Sequence, residues 1–337
     1  MKLDGSDLVN EYDTIFSKVV TDIDKIRIFS LNLSLNYAPA MSSFYAPFIQ
    51  GGKLIIYSHE VVVNPLELFT RLDQDKVCFL EITPSILSNY LNFVESDIKT
   101  KKKLKDLQLL RITGERISSS LVKRFYSHYP HIPLMNVYGT SETRTVLTTI
   151  ISHSKQQNGI MAGKPTMNQQ AYVLDENLNI LPVGSIGELY VSGDSLALGY
   201  VNRPKETREK FLTHPFIKNR KIYKTGDLAR VHPDKNFEIV GRVEDQVKIR
   251  GQKVVPREIE TLISEFRSID SVLVVANQEE NTEYNYLVAY CIFNKYYNEQ
   301  ENKRVSELRR IKEGLRDSLP EYMIPKYFVR LQEFPLN

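Results

Sequence analysis

Cysteine is scarce in this chain, and so is any imbalance of charge. Only Cys78 and Cys291 occur among 337 residues, far apart and each within an apolar stretch. Cysteines so placed exclude a disulfide framework or a cysteine zinc site and read as buried free thiols in a reducing compartment. The formal charge is +3, too weak in a chain of this length to demand nucleic acid or an anionic membrane as partner. No apolar run approaches the length that crosses a bilayer. Met1-Lys2-Leu3-Asp4-Gly5-Ser6 carries no signal-peptide pattern, so the cytoplasm is the expected compartment. Internal repeats are absent, as are a Gly-x-Ser-x-Gly nucleophile turn and any Ser–His–Asp arrangement. His128 and His131 stand three residues apart, but Pro130 and Pro133 oppose a helix that would align them on a metal, so a surface loop is expected there. What is present is ordinary globular material, 42% hydrophobic and 25% charged, enough for one large and one small domain.

The pattern along the chain predicts a large α/β region with a parallel sheet, then a small β-rich portion, then a compact α+β domain. Strands are expected at 25–29, 53–57, 77–82 and 107–113, with helices at 42–49, from Pro65 and at 84–93. Asn64 is the expected cap of the second helix, with Pro65 at its first position. This strand–helix alternation favours a parallel sheet covered by helices. From Ala171 the pattern changes to short strands at 171–175 and 187–192. The segments 222–231 and 237–241 flank a Pro-Asp-Lys-Asn turn and predict a hairpin. After Arg242 a helix over 256–266, strands at 271–276 and 286–293, and a second helix with Val305, Leu308, Ile311, Leu315 and Leu319 on one stripe complete the tail. The expected domains are 1–242 and 243–337. The lysine-rich run 99–105 reads as a solvated connector, with phosphate binding as the alternative.

Chemistry concentrates in a few short segments. In Tyr138-Gly139-Thr140-Ser141-Glu142-Thr143, a flat ring precedes a glycine that lets the backbone turn, hydroxyls follow, and Glu142 is a hard oxygen ligand suited to Mg²⁺. The same segment also reads as a polar turn with a buried tyrosine. Asp227 closes Tyr223-Lys224-Thr225-Gly226-Asp227 and could accept from two vicinal hydroxyls at once, while Arg242 offers a rigid fork for anionic oxygens. The alternative is an Asp–Arg pair that staples the hairpin. Gly241 to Gly251 and Leu319-Pro320-Glu321-Tyr322-Met323-Ile324-Pro325 complete the set.

These segments, in this order, resemble the adenylate-forming enzymes, and most closely the adenylation domains of nonribosomal peptide synthetases and their aryl-acid-activating relatives. The resemblance runs from about Asp24 to the last residue. It implies an ATP- and Mg²⁺-dependent ligase that turns a carboxylate into an acyl-adenylate, releases pyrophosphate, and passes the acyl group to a phosphopantetheine thiol of a carrier protein. An acyl-CoA ligase and a non-catalytic nucleotide- or carrier-binding remnant are the alternatives. By resemblance, Tyr138 lies against adenine, with Gly114-Glu115 as the turn passing the base. Gly139 and Thr140 belong to the nucleotide-binding segment in which Ser141 meets the phosphates and Glu142 holds the metal, while Asp227 takes the ribose hydroxyls and Arg242 takes ribose or α-phosphate oxygens. Lys248 belongs to a loop that rotates toward the site after adenylation, about a hinge at Glu244.

Asn36, Tyr37, Arg111, Thr113, Val137, Thr145 and Val146 fall where relatives line the acyl pocket. Asn36 cannot pair with an ammonium as the family's usual Asp does, so an aryl, hydroxy or dicarboxylic acid is expected ahead of an amino acid. A buried Arg111 would need a strongly accepting partner, on the substrate or at Glu115, or else solvent. Two positions depart from the family pattern: Glu244 stands where relatives carry Asp or Lys, and Ile239 where many carry Tyr. The family's Gly/Ser/Thr-rich phosphate loop is not found before Asp24, and Leu8-Val9-Asn10 resembles the start of the helix that follows it. Phe334-Pro335-Leu336-Asn337 resembles the entrance to a final Gly-Lys motif, whose lysine stabilises developing charge. The expectation is an incomplete enzyme with negligible pyrophosphate exchange.

Overall fold

The computed structural model describes residues 27–35, 39–152, 160–249, 252–278, 285–298 and 301–334. It divides into two compact units, Met1–Thr225 with Arg230–Ile239, and Gly226–Ala229 with Val240–Asn337. Among the described residues, no helix is long and apolar enough to cross a membrane.

The first unit is built on β1 (Ile28–Leu31), β2 (Lys53–Ile56), β3 (Phe79–Ile82), β4 (Leu109–Ile112), β5 (Leu134–Thr140), β6 (Arg144–Ile151) and β7 (Lys164–Pro165), in the order β2-β1-β3-β4-β5-β6-β7. Strands β1 to β5 run parallel, and β6 and β7 add antiparallel. Leu80, Ile82, Leu110, Ile112 and Leu134 bury one face of the sheet in the main core. Three helices pack into that core: α2 (Pro65–Gln74), α3 (Pro84–Ser96) and α4 (Ser119–His128). On the other face, Phe29, Phe79, Leu109, Met135 and Val137 cluster with Ala46 of α1 (Ala40–Gln50). Because side chains alternate along a strand, Glu81 and Arg111 fall on this second face, two residues beyond Phe79 and Leu109.

Local signals account for the helix ends. The Asn64 side chain accepts from the Glu67 amide and Pro65 opens α2. Helix α4 is an element that the sequence pattern did not predict. Ser118 caps it by accepting from Leu121 N, and Leu121, Val122, Phe125 and Tyr126 form its buried stripe. His128 is its last residue, with Nε2 3.8 Å from Glu95 Oε1, so the loop expected around His128 begins one residue later. Cys78 and Cys291 are both buried and free.

A second sheet orders β10 (Phe211–Thr213), β11 (Lys221–Val231), β9 (Gly187–Gly193) and β8 (Gln169–Leu174), with β12 (Phe237–Arg242) pairing β11. Helix α5 (Pro204–Lys210) precedes β10. In the second unit, β13 (Val247–Ile249) and β14 (Gln252–Val254) form a hairpin. There β15 (Ile269–Gln278), β16 (Asn285–Phe293) and β17 (Tyr327–Leu331) make a three-stranded sheet. Ile259 and Ile263 of α6 (Pro256–Ser264) and Ile311 and Leu315 of α7 (Glu301–Ser318) pack on Val274, Leu287, Ala289, Cys291 and Phe293.

Candidate functional site

The end of β5 and the turn into β6 carry Tyr138 to Thr143. A register shift at Tyr138/Gly139 leaves Gly139 so close to the facing strand that a Cβ there would sit 1.8 Å from the Arg144 carbonyl oxygen, so only glycine fits. Thr143 is fully buried and its hydroxyl accepts from the Thr140 amide at 3.1 Å, closing the turn on itself. Of the hydroxyls expected to face a ligand, Ser141 is exposed and Thr143 is not.

Glu142 is half-buried beside Tyr200 and Tyr223. The Tyr200 hydroxyl donates to Glu142 Oε1 at 2.7 Å. Burial pushes the Glu142 carboxyl up, but hydrogen bonds from Tyr200, its own amide, Thr140 and Tyr223 outweigh it and hold the pKa below the ordinary carboxylate value. The same arrangement pushes the Tyr223 phenol far up, first through burial and then through its Tyr200 and Glu142 neighbours. Glu142 is therefore an anion at neutral pH. Among the described residues, no cluster of three or more His, Cys, Asp or Glu could hold a metal. A half-buried, ionised carboxylate next to an exposed serine fits Mg²⁺, which commonly takes one or two carboxylates and completes its shell with substrate phosphates and water.

Gly114 follows β4 with φ of +84°. Glu115 turns back to helix α3, where its Oε2 accepts from the Ser85 amide at 3.3 Å and from the Ser85 hydroxyl. An anion at a helix N-terminus is favourably placed, and this contact removes Glu115 as a partner for Arg111.

Arg111 is 1% exposed and its ion partner is Glu81, itself 0% exposed, at 3.4 Å on the adjacent strand. Its guanidinium also donates to Ser42 Oγ at 3.0 Å and to Thr145 Oγ1, while Ser43 Oγ donates to Glu81 Oε2 at 3.1 Å. The pairing with Glu115 or solvent is thus replaced by a protein-internal carboxylate. Sequence reading missed Glu81; its only local signal is an acid in the apolar run Cys78-Phe79-Leu80-Glu81-Ile82. Thr113, just after β4, Val137 of β5 and Val146 of β6 are buried as well. Asn36 and Tyr37 lie outside the described residues.

In the second unit, Arg242 Nη1 donates to Asp227 Oδ1 at 3.0 Å, and Arg242 Nε donates to Glu244 Oε1 at 3.2 Å. Gly226, at φ +79°, accepts from the Val243 amide at 2.9 Å. Burial works against the Arg242 charge, but the Asp227 and Glu244 bonds prevail and raise its pKa. The Asp–Arg staple is present, and Glu244 is part of it. Lys248 lies in β13, in register with Lys253 of β14.

Comparison with known proteins adds to this geometry. The AMP-binding enzyme family matches residues 8–201. Bacitracin synthase 3 of Bacillus licheniformis is 34% identical over 304 residues, 90% of this chain and 4% of that protein. Tyrocidine synthase 3 of Brevibacillus parabrevis is 34% identical over 313 residues, 92% of this chain and 4% of that protein. The chain thus spans a small part of the curated relatives' length. A four-domain nonribosomal peptide synthetase bound to AMP and glycine superposes with a TM-score of 0.74 at 27% identity, covering 98% of this chain and 23% of that one. The amide bond synthetase McbA of Marinactinospora thermotolerans superposes with a TM-score of 0.80 over 99% of this chain and 63% of its own. At 16% identity, that likeness speaks to the fold alone.

Proposed function

The chain belongs to the AMP-binding enzyme family, and from that premise we propose that it activates a carboxylic acid with ATP and hands the acyl group to a carrier-protein thiol. The carboxylate of the acid attacks the α-phosphorus of ATP, the bond to the β-phosphate oxygen breaks, and acyl-adenylate and pyrophosphate result. Tyr138 offers its ring to the adenine beside the Gly114-Glu115 turn. Ser141 would meet the phosphates on the turn that Gly139 and Thr140 shape, Asp227 would accept from the ribose hydroxyls, and Arg242 would take ribose or α-phosphate oxygens. Glu142 would hold Mg²⁺, which when bound neutralises phosphate charge. No side-chain nucleophile is required, because the acid itself attacks.

For the acid, Arg111, Thr113, Val137, Thr145 and Val146 would line the pocket, and the resemblance assigns Asn36 and Tyr37, outside the described residues, to it as well. Neutralisation of Arg111 by Glu81 weakens the case for a dicarboxylic acid and leaves an aryl, hydroxy or amino acid. Domain 243–337 would then turn at Glu244 to bring the Lys248 loop to the thiol, with the reaction taking place in the cytoplasm. Kinship to peptide synthetases favours a phosphopantetheinyl carrier protein over CoA. The observation that carries the reading is the half-buried Glu142 carboxylate, held by the Tyr200 hydroxyl at 2.7 Å in a strand–turn–strand motif within the matched stretch.

Pyrophosphate–ATP exchange across a panel of aryl, hydroxy and amino acids tests it. The assay compares the 337 residues with a version extended by a relative's phosphate-loop and Gly-Lys segments. Acid-dependent exchange in the extended version, abolished by Glu142→Gln, is the expected outcome. Silence in both favours the non-catalytic binding module, and loading of CoA in preference to a holo carrier protein favours the CoA ligase.

A further inference from the structure

Glu142 is held by more than its own turn. The stretch after β9 closes on it from outside the motif: Ser195 Oγ donates to the Thr143 carbonyl at 2.6 Å, and the Ala197 amide to the Glu142 carbonyl at 2.8 Å. The Tyr200 hydroxyl completes the clamp with its 2.7 Å bond to Glu142 Oε1. Tyr200 is itself fixed. Its amide donates to Thr207 Oγ1 at 3.0 Å, and its ring meets Phe211 edge-on with centroids 5.4 Å apart. Phe211 in turn packs on Tyr223 at 5.0 Å, and the Tyr223 hydroxyl lies 3.3 Å from that of Tyr200. A glutamate at a turn ordinarily samples several rotamers. Here one carboxylate oxygen accepts from a phenol whose ring rests edge-on against Phe211.

We infer that Tyr200 is a positioning residue that presets the Glu142 carboxylate for a divalent metal carrying a nucleotide's phosphates. The inference rests on the proposed role of Glu142 as the metal-holding carboxylate. Tyr200 does not touch the nucleotide; it acts through the orientation of Glu142, as hydrogen-bond partners behind a metal ligand generally do. A purely structural tyrosine would contribute its ring, which packs on Phe211. A positioning tyrosine contributes its hydroxyl, which bonds the Glu142 carboxylate at 2.7 Å and lies 3.3 Å from the Tyr223 hydroxyl.

Isothermal titration with ATP, in Mg²⁺ and in EDTA, separates the two on the wild-type chain, Tyr200→Phe and Glu142→Gln, alongside thermal melts. Tyr200→Phe is expected to weaken Mg²⁺-dependent ATP binding about ten- to hundredfold. Binding in EDTA and the melting temperature should stay at their wild-type values. Glu142→Gln should lose the Mg²⁺-dependent increment altogether. If Glu142→Gln loses it while Tyr200→Phe matches wild type, the positioning role is overturned and the metal role of Glu142 stands. If Tyr200→Phe lowers the melting temperature and weakens binding equally with and without Mg²⁺, the tyrosine is structural and the inference fails. If wild type and Glu142→Gln bind alike in both media, the underlying reading fails and takes the inference with it.

Discussion

Glu81 and Arg111 sit opposite each other on β3 and β4 with almost no access to water. Two buried charges keep their place only while each neutralises the other, because the desolvation cost of a lone ion exceeds what the surrounding hydroxyls return. Arg111→Met alone should therefore destabilise the first unit by about 3–5 kcal/mol, since it strands the Glu81 charge. The double substitution Glu81→Leu with Arg111→Met should recover most of that loss, because a well-packed apolar pair of similar volume avoids the desolvation altogether. Urea unfolding midpoints of the three chains decide it. A double variant as unstable as the single would show that the serines and Thr145, rather than the charges, set the cost.

At the scale of single elements, the connection from β10 to β11 depends on one imidazole. His214 Nδ1 accepts from the amides of Phe216 and Ile217, each at 3.1 Å, so the neutral ring organises the loop. Its ring also meets Tyr172 and Phe216 edge-on, with centroids 5.4 and 5.8 Å away. Burial, aided by the Arg220 charge, pushes its pKa below the ordinary 6.5. As pH falls below 6.5 the unfolded chain binds a proton that the folded chain refuses, so stability contributed by His214 is intact above that pH and lost beneath it. His214→Asn, which keeps an acceptor for the loop amides, should flatten the fall in melting temperature between pH 7 and 5. An unchanged slope would mean that other groups carry the acid sensitivity. Helix α4 shows how an element can be overlooked although its signals are local. Its Ser118 cap and its stripe of Leu121, Val122, Phe125 and Tyr126 are local signals, whereas Pro130 and Pro133 just beyond its end favour a loop.

For the whole molecule, the two compact units have separate hydrophobic cores, one around Leu80, Leu110 and Phe125, the other around Ile259, Ile311 and Cys291. Units with their own cores can melt independently, so calorimetry should resolve two transitions. Leu110→Ala and Ile311→Ala, each at a fully buried position, should each cost about 2–5 kcal/mol and lower one transition only, a different one for each. One shared transition, displaced by both substitutions, would show that the units unfold as one.

Taken alone, the sequence determined what nearest neighbours along the chain decide. Asn64-Pro65 starts a helix because the cap and the fixed proline φ act within one turn. The turn at 232–236 closes a hairpin because its own amides and the Asp234 carboxylate satisfy it. The family motifs could likewise be found by their order. Tertiary structure decided who meets whom across long loops. Arg111 found Glu81 thirty residues earlier, and Glu142 found Tyr200 fifty-eight residues later. No period or cap encodes such pairs, because the buried charge and the carboxylate take whichever partner the folded sheet brings within hydrogen-bond reach.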